Sequence, residues 1–263
     1  MRRRHRFYRH VFVACLVVMA LMPLPYPYCR FSLSGTPLLI SLLIVELGQP
    51  VRSGQTSRHW YDNAYRLTGL VGIVLKFIWL ASPATFASVG FPLLLVVTVF
   101  ILWSLKRLMI CLAQETHIGI PVLSGAVAGY LLLGISGGLL FGVIETVAPG
   151  SFLNEAGGGR QLVISQLPMN AAGQQVWSLD FTNIHYFAFV TLTTVGYGDI
   201  IPALPPAQMA TVTLSIVGQL YLALVMGLLI SRYTLQSEKQ EIRDWQEGVP
   251  GPPPHSGADS DDR

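Results

Sequence analysis

Residues 193–199 read Thr193-Thr194-Val195-Gly196-Tyr197-Gly198-Asp199. The two glycines permit backbone angles that other residues avoid, so successive carbonyl groups can be turned to the same side. Several copies of such a strip around one axis would stack rings of carbonyl oxygens, able to replace the water around a dehydrated cation. Irregular backbone of this kind is tolerated at membrane depth only when buried in protein or lining an aqueous path. The implied chemistry is cation binding and desolvation, with no covalent step.

The flanking segments suit that task. A short aromatic helix is expected over 183–193, with Asp180, Thr182 and Asn183 as capping residues at its start. The negative end of its dipole would then face a cation in a central cavity. A long apolar run at 207–234 follows the strip.

Composition agrees: 52% of the residues are hydrophobic and 12% charged, so the chain reads as a polytopic membrane protein rather than a soluble domain. The net charge of +3 is not gathered into a basic groove with interleaved aromatics, which leaves nucleic-acid binding without a basis. Cys15, Cys29 and Cys111 are scattered, with neither metal-ligand spacing nor a disulfide framework. His117 and His185 stand alone, and no grouping of catalytic type accompanies them, so no enzyme and no cofactor is expected.

Apolar runs define the remaining organisation. A basic N-terminus (1–10) precedes a four-helix membrane region (11–110). The first run, Val11 to Met22, is short against the about 20 residues that a span needs, and Pro23, Pro25 and Pro27 follow it. Retention as a first membrane helix competes with cleavage as a signal peptide; the absence of a small-residue cleavage site around Met22–Cys29 favours retention. Further spans are expected over 33–49, 67–81 and 86–105. A pore region (122–234) follows: an outer helix 122–147, a turret 148–180, a pore helix 183–193, the strip 194–199 and an inner helix 207–234. A short tail (235–263) ends in a Pro-, Gly-, Ser- and Asp-rich stretch from about residue 248, whose composition predicts disorder. With the N-terminus inside, Arg52, Arg58, Arg66, Lys106, Arg107, Arg232, Lys239 and Arg243 all fall on the inner side, and Arg30 and Arg160 outside.

The strip, the aromatic helix before it, the Ile200-Ile201-Pro202 exit and the following span resemble the potassium channel superfamily. The resemblance covers about 122–233. It implies an all-α membrane protein of about six transmembrane helices, the last two enclosing a re-entrant pore helix and selectivity filter, assembled as a homotetramer in lipid. It implies that Thr194, Val195, Gly196 and Tyr197 offer coordinating carbonyls to potassium as the permeant ion, Thr194 adding its hydroxyl. Thr193, Gly198 and Asp199 would support the strip and its outer mouth, with Tyr186 and Phe187 bracing it. Gly218 matches the hinge glycine of inner helices by spacing; close helix packing explains it equally well. Val190 stands where some relatives carry a glutamate bonded to the filter aspartate, so that link is missing. The implied function is passive potassium conduction across the plasma (inner) membrane with both termini cytoplasmic. The alternatives are a weakly selective cation channel or a potassium transporter subunit.

Six spans also resemble voltage-gated channels, but a sensor needs several basic residues along one helix. The fourth span carries only Lys106 and Arg107, adjacent at one end. Lys76 lies within a span, with Glu46 as its evident partner; a structural pair or snorkelling is the favoured reading. On the outside, Glu145, Glu155, Asp180 and Asp199 are expected to form an acidic rim. Gly125, Gly129, Gly134, Gly138 and Gly142 form a small-residue face for helix contact.

Overall fold

The computed structural model describes residues 2–22, 29–47, 59–81, 87–113, 115, 119–155, 158, 160–161, 163–164, 178–179, 181–227, 229–235, 238 and 242. Seven α-helices dominate these residues: α1 (Arg2–Leu21), α2 (Cys29–Leu47), α3 (His59–Ala81), α4 (Ala87–Ala113), α5 (Ile120–Val147), α6 (Phe181–Leu192) and α7 (Pro205–Leu220). A π-helical turn, Tyr221–Met226, continues α7. Among the described residues three stretches are long and apolar enough to cross a membrane, 91–113, 120–147 and 205–235, and a shorter apolar helix spans 7–21. This is a predominantly helical membrane protein.

Three helices extend well past their expected ends, the third beginning at His59 rather than 67. The first begins at Arg2, so the basic residues ride on its first turns. The fourth continues through Lys106 and Arg107 to Ala113. Hydropathy marks only the apolar part of a helix, whereas backbone hydrogen bonding carries on wherever a neighbour covers the next turn. Here Leu108, Cys111 and Leu112 are buried in the core and draw the helix onward.

The all-α expectation holds for the bulk of the described residues, which also include five short strands: β1 (Phe152–Asn154), β2 (Arg160–Gln161), β3 (Val163–Ile164), β4 (Ser178–Leu179) and β5 (Ile200–Pro202). β1 lies between β2 and β5, antiparallel to both, and β3 pairs with β4. Strands of two or three residues are too short for alternation to announce them.

The core falls into two clusters. One joins α1, α2, α4 and α5, through residues such as Val11, Leu43, Phe100, Leu108 and Leu132, and reaches Leu229 beyond α7. The other surrounds α6, through Phe141, Phe152, Ile184, Phe187, Leu192 and Leu214. The glycine face of α5 lets neighbours approach where a methyl group would collide: Tyr8 of α1 at Gly125, Tyr221 at Gly129, Phe189 at Gly134 and His185 at Gly138. Thus α5 is the common wall on which α1, α6 and the inner helix pack. Helix α1 runs beside α5 in the same direction. Tyr8 near its start meets Gly125, and the carbonyl of Met22 just past its end accepts from the Thr182 hydroxyl at 3.1 Å.

Candidate functional site

The site is built from α6 outward. Ile184, Phe187, Ala188 and Leu192 are buried, the spacing of one apolar helix face. Phe187 packs against Phe141 of α5 and Phe152 of β1, with ring centroids 5.5 and 5.4 Å away. These contacts fix where α6 ends, and so where the strip begins.

The strip folds back over the end of α6. The amide of Thr193 donates to the Phe189 carbonyl at 2.9 Å, that of Thr194 to Thr191 at 3.0 Å and that of Val195 to Val190 at 3.0 Å. Beyond them φ alternates in sign: Thr194, Gly196 and Gly198 have φ of 58°, 56° and 77°, while Val195 and Tyr197 are not in that region. A backbone that alternates between left- and right-handed conformations turns successive peptide carbonyls to the same side, unlike a strand, where they alternate. Glycine accepts this conformation without strain. Thr194 is the sole non-glycine residue with positive φ among the described residues, and for a β-branched side chain that costs about 1–3 kcal/mol. Val195 and Tyr197 are 51% and 71% exposed on the single chain, with no apolar cover of their own.

The far end of the strip is tied down by other means. The Tyr186 hydroxyl faces the Asp199 carboxylate, and the Asp199 carbonyl accepts from the Glu155 amide at 2.8 Å. β5 then pairs with β1, Phe152 opposite Pro202 and Asn154 opposite Ile200. β1 is in turn held by Glu145, in the last turn of α5. Its carboxylate accepts from the Gly150 and Phe152 amides, both at 2.9 Å, and the residue is 0% exposed. A continuous path of hydrogen bonds therefore runs from the outer helix to the filter mouth.

Helix α7 passes beneath the strip. A Cβ at Gly218 would lie 2.5 Å from Leu192 Cδ1 and 3.0 Å from the Leu192 carbonyl oxygen. Close approach of two backbones accounts for this glycine. The π-helical turn begins three residues later, at Tyr221.

Residues 151–234 match a family model described as an ion channel. The matched segment holds α6, the strip and α7, and the match supports the resemblance of this segment to the potassium channel superfamily. No curated protein matches the chain.

Within the channel domain the structure brings together Thr193, Thr194, Val195, Gly196, Tyr197, Gly198, Asp199, Tyr186 and Phe187, all within one helix and the strip it leads into. Phe187 is buried, and Tyr186 is exposed with its hydroxyl facing Asp199. The expected acidic rim is smaller than its sequence suggests. Glu145 is an internal clamp rather than a surface charge, because the turn that ends α5 presents two amides to it. Asp180, the Arg160 side chain and the tail from residue 248 lie outside the described residues. So does the Glu46 side chain; Lys76 is half-buried in α3, and its expected pairing with Glu46 is not described.

Sequence reasoning missed three features. Glu145 sits three residues before the Ala148-Pro149-Gly150 turn, and a carboxylate just ahead of a turn with free amides was the available signal. Tyr130 of α5 donates to the Leu192 carbonyl at 3.1 Å, a contact with no local signature. Arg107, read with Lys106 as a basic residue at the inner end of the fourth span, pairs with Asp62 of α3 at 2.7 Å, both side chains 10% exposed, and sits 4.7 Å over the Tyr65 ring.

Proposed function

We propose that the protein is a potassium-selective channel that conducts passively through a ring of four identical strips, in the plasma (inner) membrane. The observation that carries this reading is the alternating backbone at 194, 196 and 198 in a Thr-Val-Gly-Tyr-Gly strip. Four such strips around an axis would offer the carbonyls of Thr194, Val195, Gly196 and Tyr197, and the Thr194 hydroxyl, in place of lost water. A single strip encloses nothing, so the reading requires a homotetramer.

The apolar surface supports that assembly. Met209, Val212, Ile216, Leu220 and Leu224 are exposed along one side of the inner helix, and Val195 and Tyr197 are exposed in the strip, uncovered by any other described residue. Neighbouring copies would cover part of this surface and leave the rest to line the conduction path. In this arrangement α1 to α5 and the α7 helix with its continuation form six spans, with α6 and the strip re-entrant between the last two. Both termini are then cytoplasmic. Gly218 would act through its packing and, should the inner helix bend, as a hinge beside the π-helical turn.

Voltage sensing has little to work with. Each unit charge crossing the field contributes about 2.3 kcal/mol per 100 mV, and Arg107 is held by Asp62. The channel is therefore read as voltage-independent, with no cofactor and no catalytic step. Purified protein in a planar bilayer tests the proposal. With potassium on one side and sodium on the other, the current should reverse close to the potassium equilibrium potential. Reversal near zero would instead mark a weakly selective cation channel. Turnover too slow for resolved single-channel steps would mark a transporter subunit.

A further inference from the structure

The last four carbonyls of a helix have no donor inside it and must find one elsewhere. In α6 these belong to Phe189, Val190, Thr191 and Leu192. The first three accept from the amides of Thr193, Val195 and Thr194, the residues that open the strip. The fourth accepts from a distant group, the hydroxyl of Tyr130 at 3.1 Å. The Leu192 carbonyl belongs to the peptide leading into Thr193, one residue before the strained Thr194. Whatever holds that oxygen helps to hold the plane from which the strip departs.

Tyr130 is itself held. Its ring lies 5.8 Å from that of Tyr221, the first residue of the π-helical turn. The Tyr221 hydroxyl donates to the Ala126 carbonyl at 2.6 Å, one turn before Tyr130 on α5. Gly129 leaves the space that the Tyr221 hydroxyl occupies, and Gly218 leaves the space for Leu192. Outer helix, pore helix and inner helix thus meet at one carbonyl oxygen.

We propose that Tyr130 is a positioning residue for the filter: its hydroxyl fixes the Leu192 carbonyl and with it the orientation of the strip's first peptide planes. Tyr221 keeps the Tyr130 ring in register. The inference rests on the pore reading above and adds a residue outside the strip to what sets selectivity. Removing the hydroxyl leaves a helix-terminal carbonyl without its donor at a close-packed junction, while the ring still fills its space. The strip's inner end then gains freedom, and discrimination between ions of different radius declines.

The test compares parent, Tyr130→Phe and Tyr130→Leu in planar bilayers under potassium–sodium bi-ionic conditions, with tetramer content checked by native electrophoresis. Tyr130→Phe should assemble as the parent does, yet show a potassium-to-sodium permeability ratio lower by about fivefold or more. Isotope-edited infrared spectroscopy of a 13C=18O label at Leu192 should show the carbonyl band moving to higher frequency in the same variant. A parental permeability ratio and an unmoved band in Tyr130→Phe would overturn the proposal, as would a loss of selectivity confined to Tyr130→Leu, which would mark ring packing alone. A parent that does not discriminate between the ions overturns the pore reading, and this inference with it.

Discussion

The channel domain and the four helices before it solve the same burial problem in different ways. Around α6 the interior polar groups meet backbone: Tyr130 the Leu192 carbonyl, Tyr221 the Ala126 carbonyl, and Glu145 the Gly150 and Phe152 amides. The N-terminal helices use such backbone bonds too, the Tyr65 hydroxyl reaching the Leu43 carbonyl at 3.2 Å, but they add side-chain pairs between helices, with Arg107 on Asp62 and the Tyr65 hydroxyl 2.8 Å from that of Ser104. The first arrangement fixes main-chain position, which is what carbonyl coordination needs. The second holds helices together and leaves their backbones regular. The contrast separates a region built for placement of main-chain atoms from one built for cohesion.

The largest effect should come from breaking the backbone itself. Gly196→Ala places a methyl group on a residue with φ 56°, at about 1–2 kcal/mol per copy, four times over in the proposed tetramer. Potassium-driven rubidium uptake into proteoliposomes should fall by about a hundredfold or more, because the penalty multiplies through the ring. Uptake within a fewfold of the parent would argue that the strip does not line the path.

Asp62→Ala probes the other region. It leaves Arg107 buried without its carboxylate and should destabilise the helix bundle by about 3–5 kcal/mol. Thermal unfolding in detergent measures the loss, and whatever protein remains folded should keep its ion selectivity. Asp62→Leu combined with Arg107→Met should recover most of the stability. A selectivity change in either variant would erase the distinction between the two regions.

How much of this was legible beforehand tracks the same divide. The strip announces itself because Gly196 and Gly198 are required by conformation, and conformation is written locally. The α5 glycines at four-residue spacing likewise foretell a contact face, though not that Tyr8, Phe189 and His185 would fill it. The Asp62–Arg107 pair joins residues 45 positions apart on separate helices. Nothing near Arg107 says it is buried, so a positive-inside reading assigns it to the surface. The β1–β5 pairing was hidden for another reason: each strand is three residues long and sits in a stretch that otherwise reads as loop.

Smaller perturbations sharpen the comparison. Gly218→Ala should cost about 1–3 kcal/mol through collision with the Leu192 side chain, and it should disturb conduction as well as stability, since the Leu192 carbonyl oxygen is also crowded. Glu145→Gln exchanges one acceptor for a donor facing an amide and should cost about 1–3 kcal/mol. Hydrogen exchange at Gly150 and Phe152 should accelerate, with protection in α3 unchanged. The smallest effect is expected at Lys106, which is exposed: Lys106→Gln should alter stability by less than about 0.5 kcal/mol. The slope of conductance against voltage should be the same as in the parent; a shallower slope would restore the fourth helix as a sensor.

The most direct measurement is a structure of the assembled protein in lipid with thallium in place of potassium. The account predicts four chains around one axis, with anomalous density on that axis level with the carbonyls of Thr194, Val195, Gly196 and Tyr197. A monomer in lipid, or a tetramer whose strips face away from a vacant axis, would contradict it.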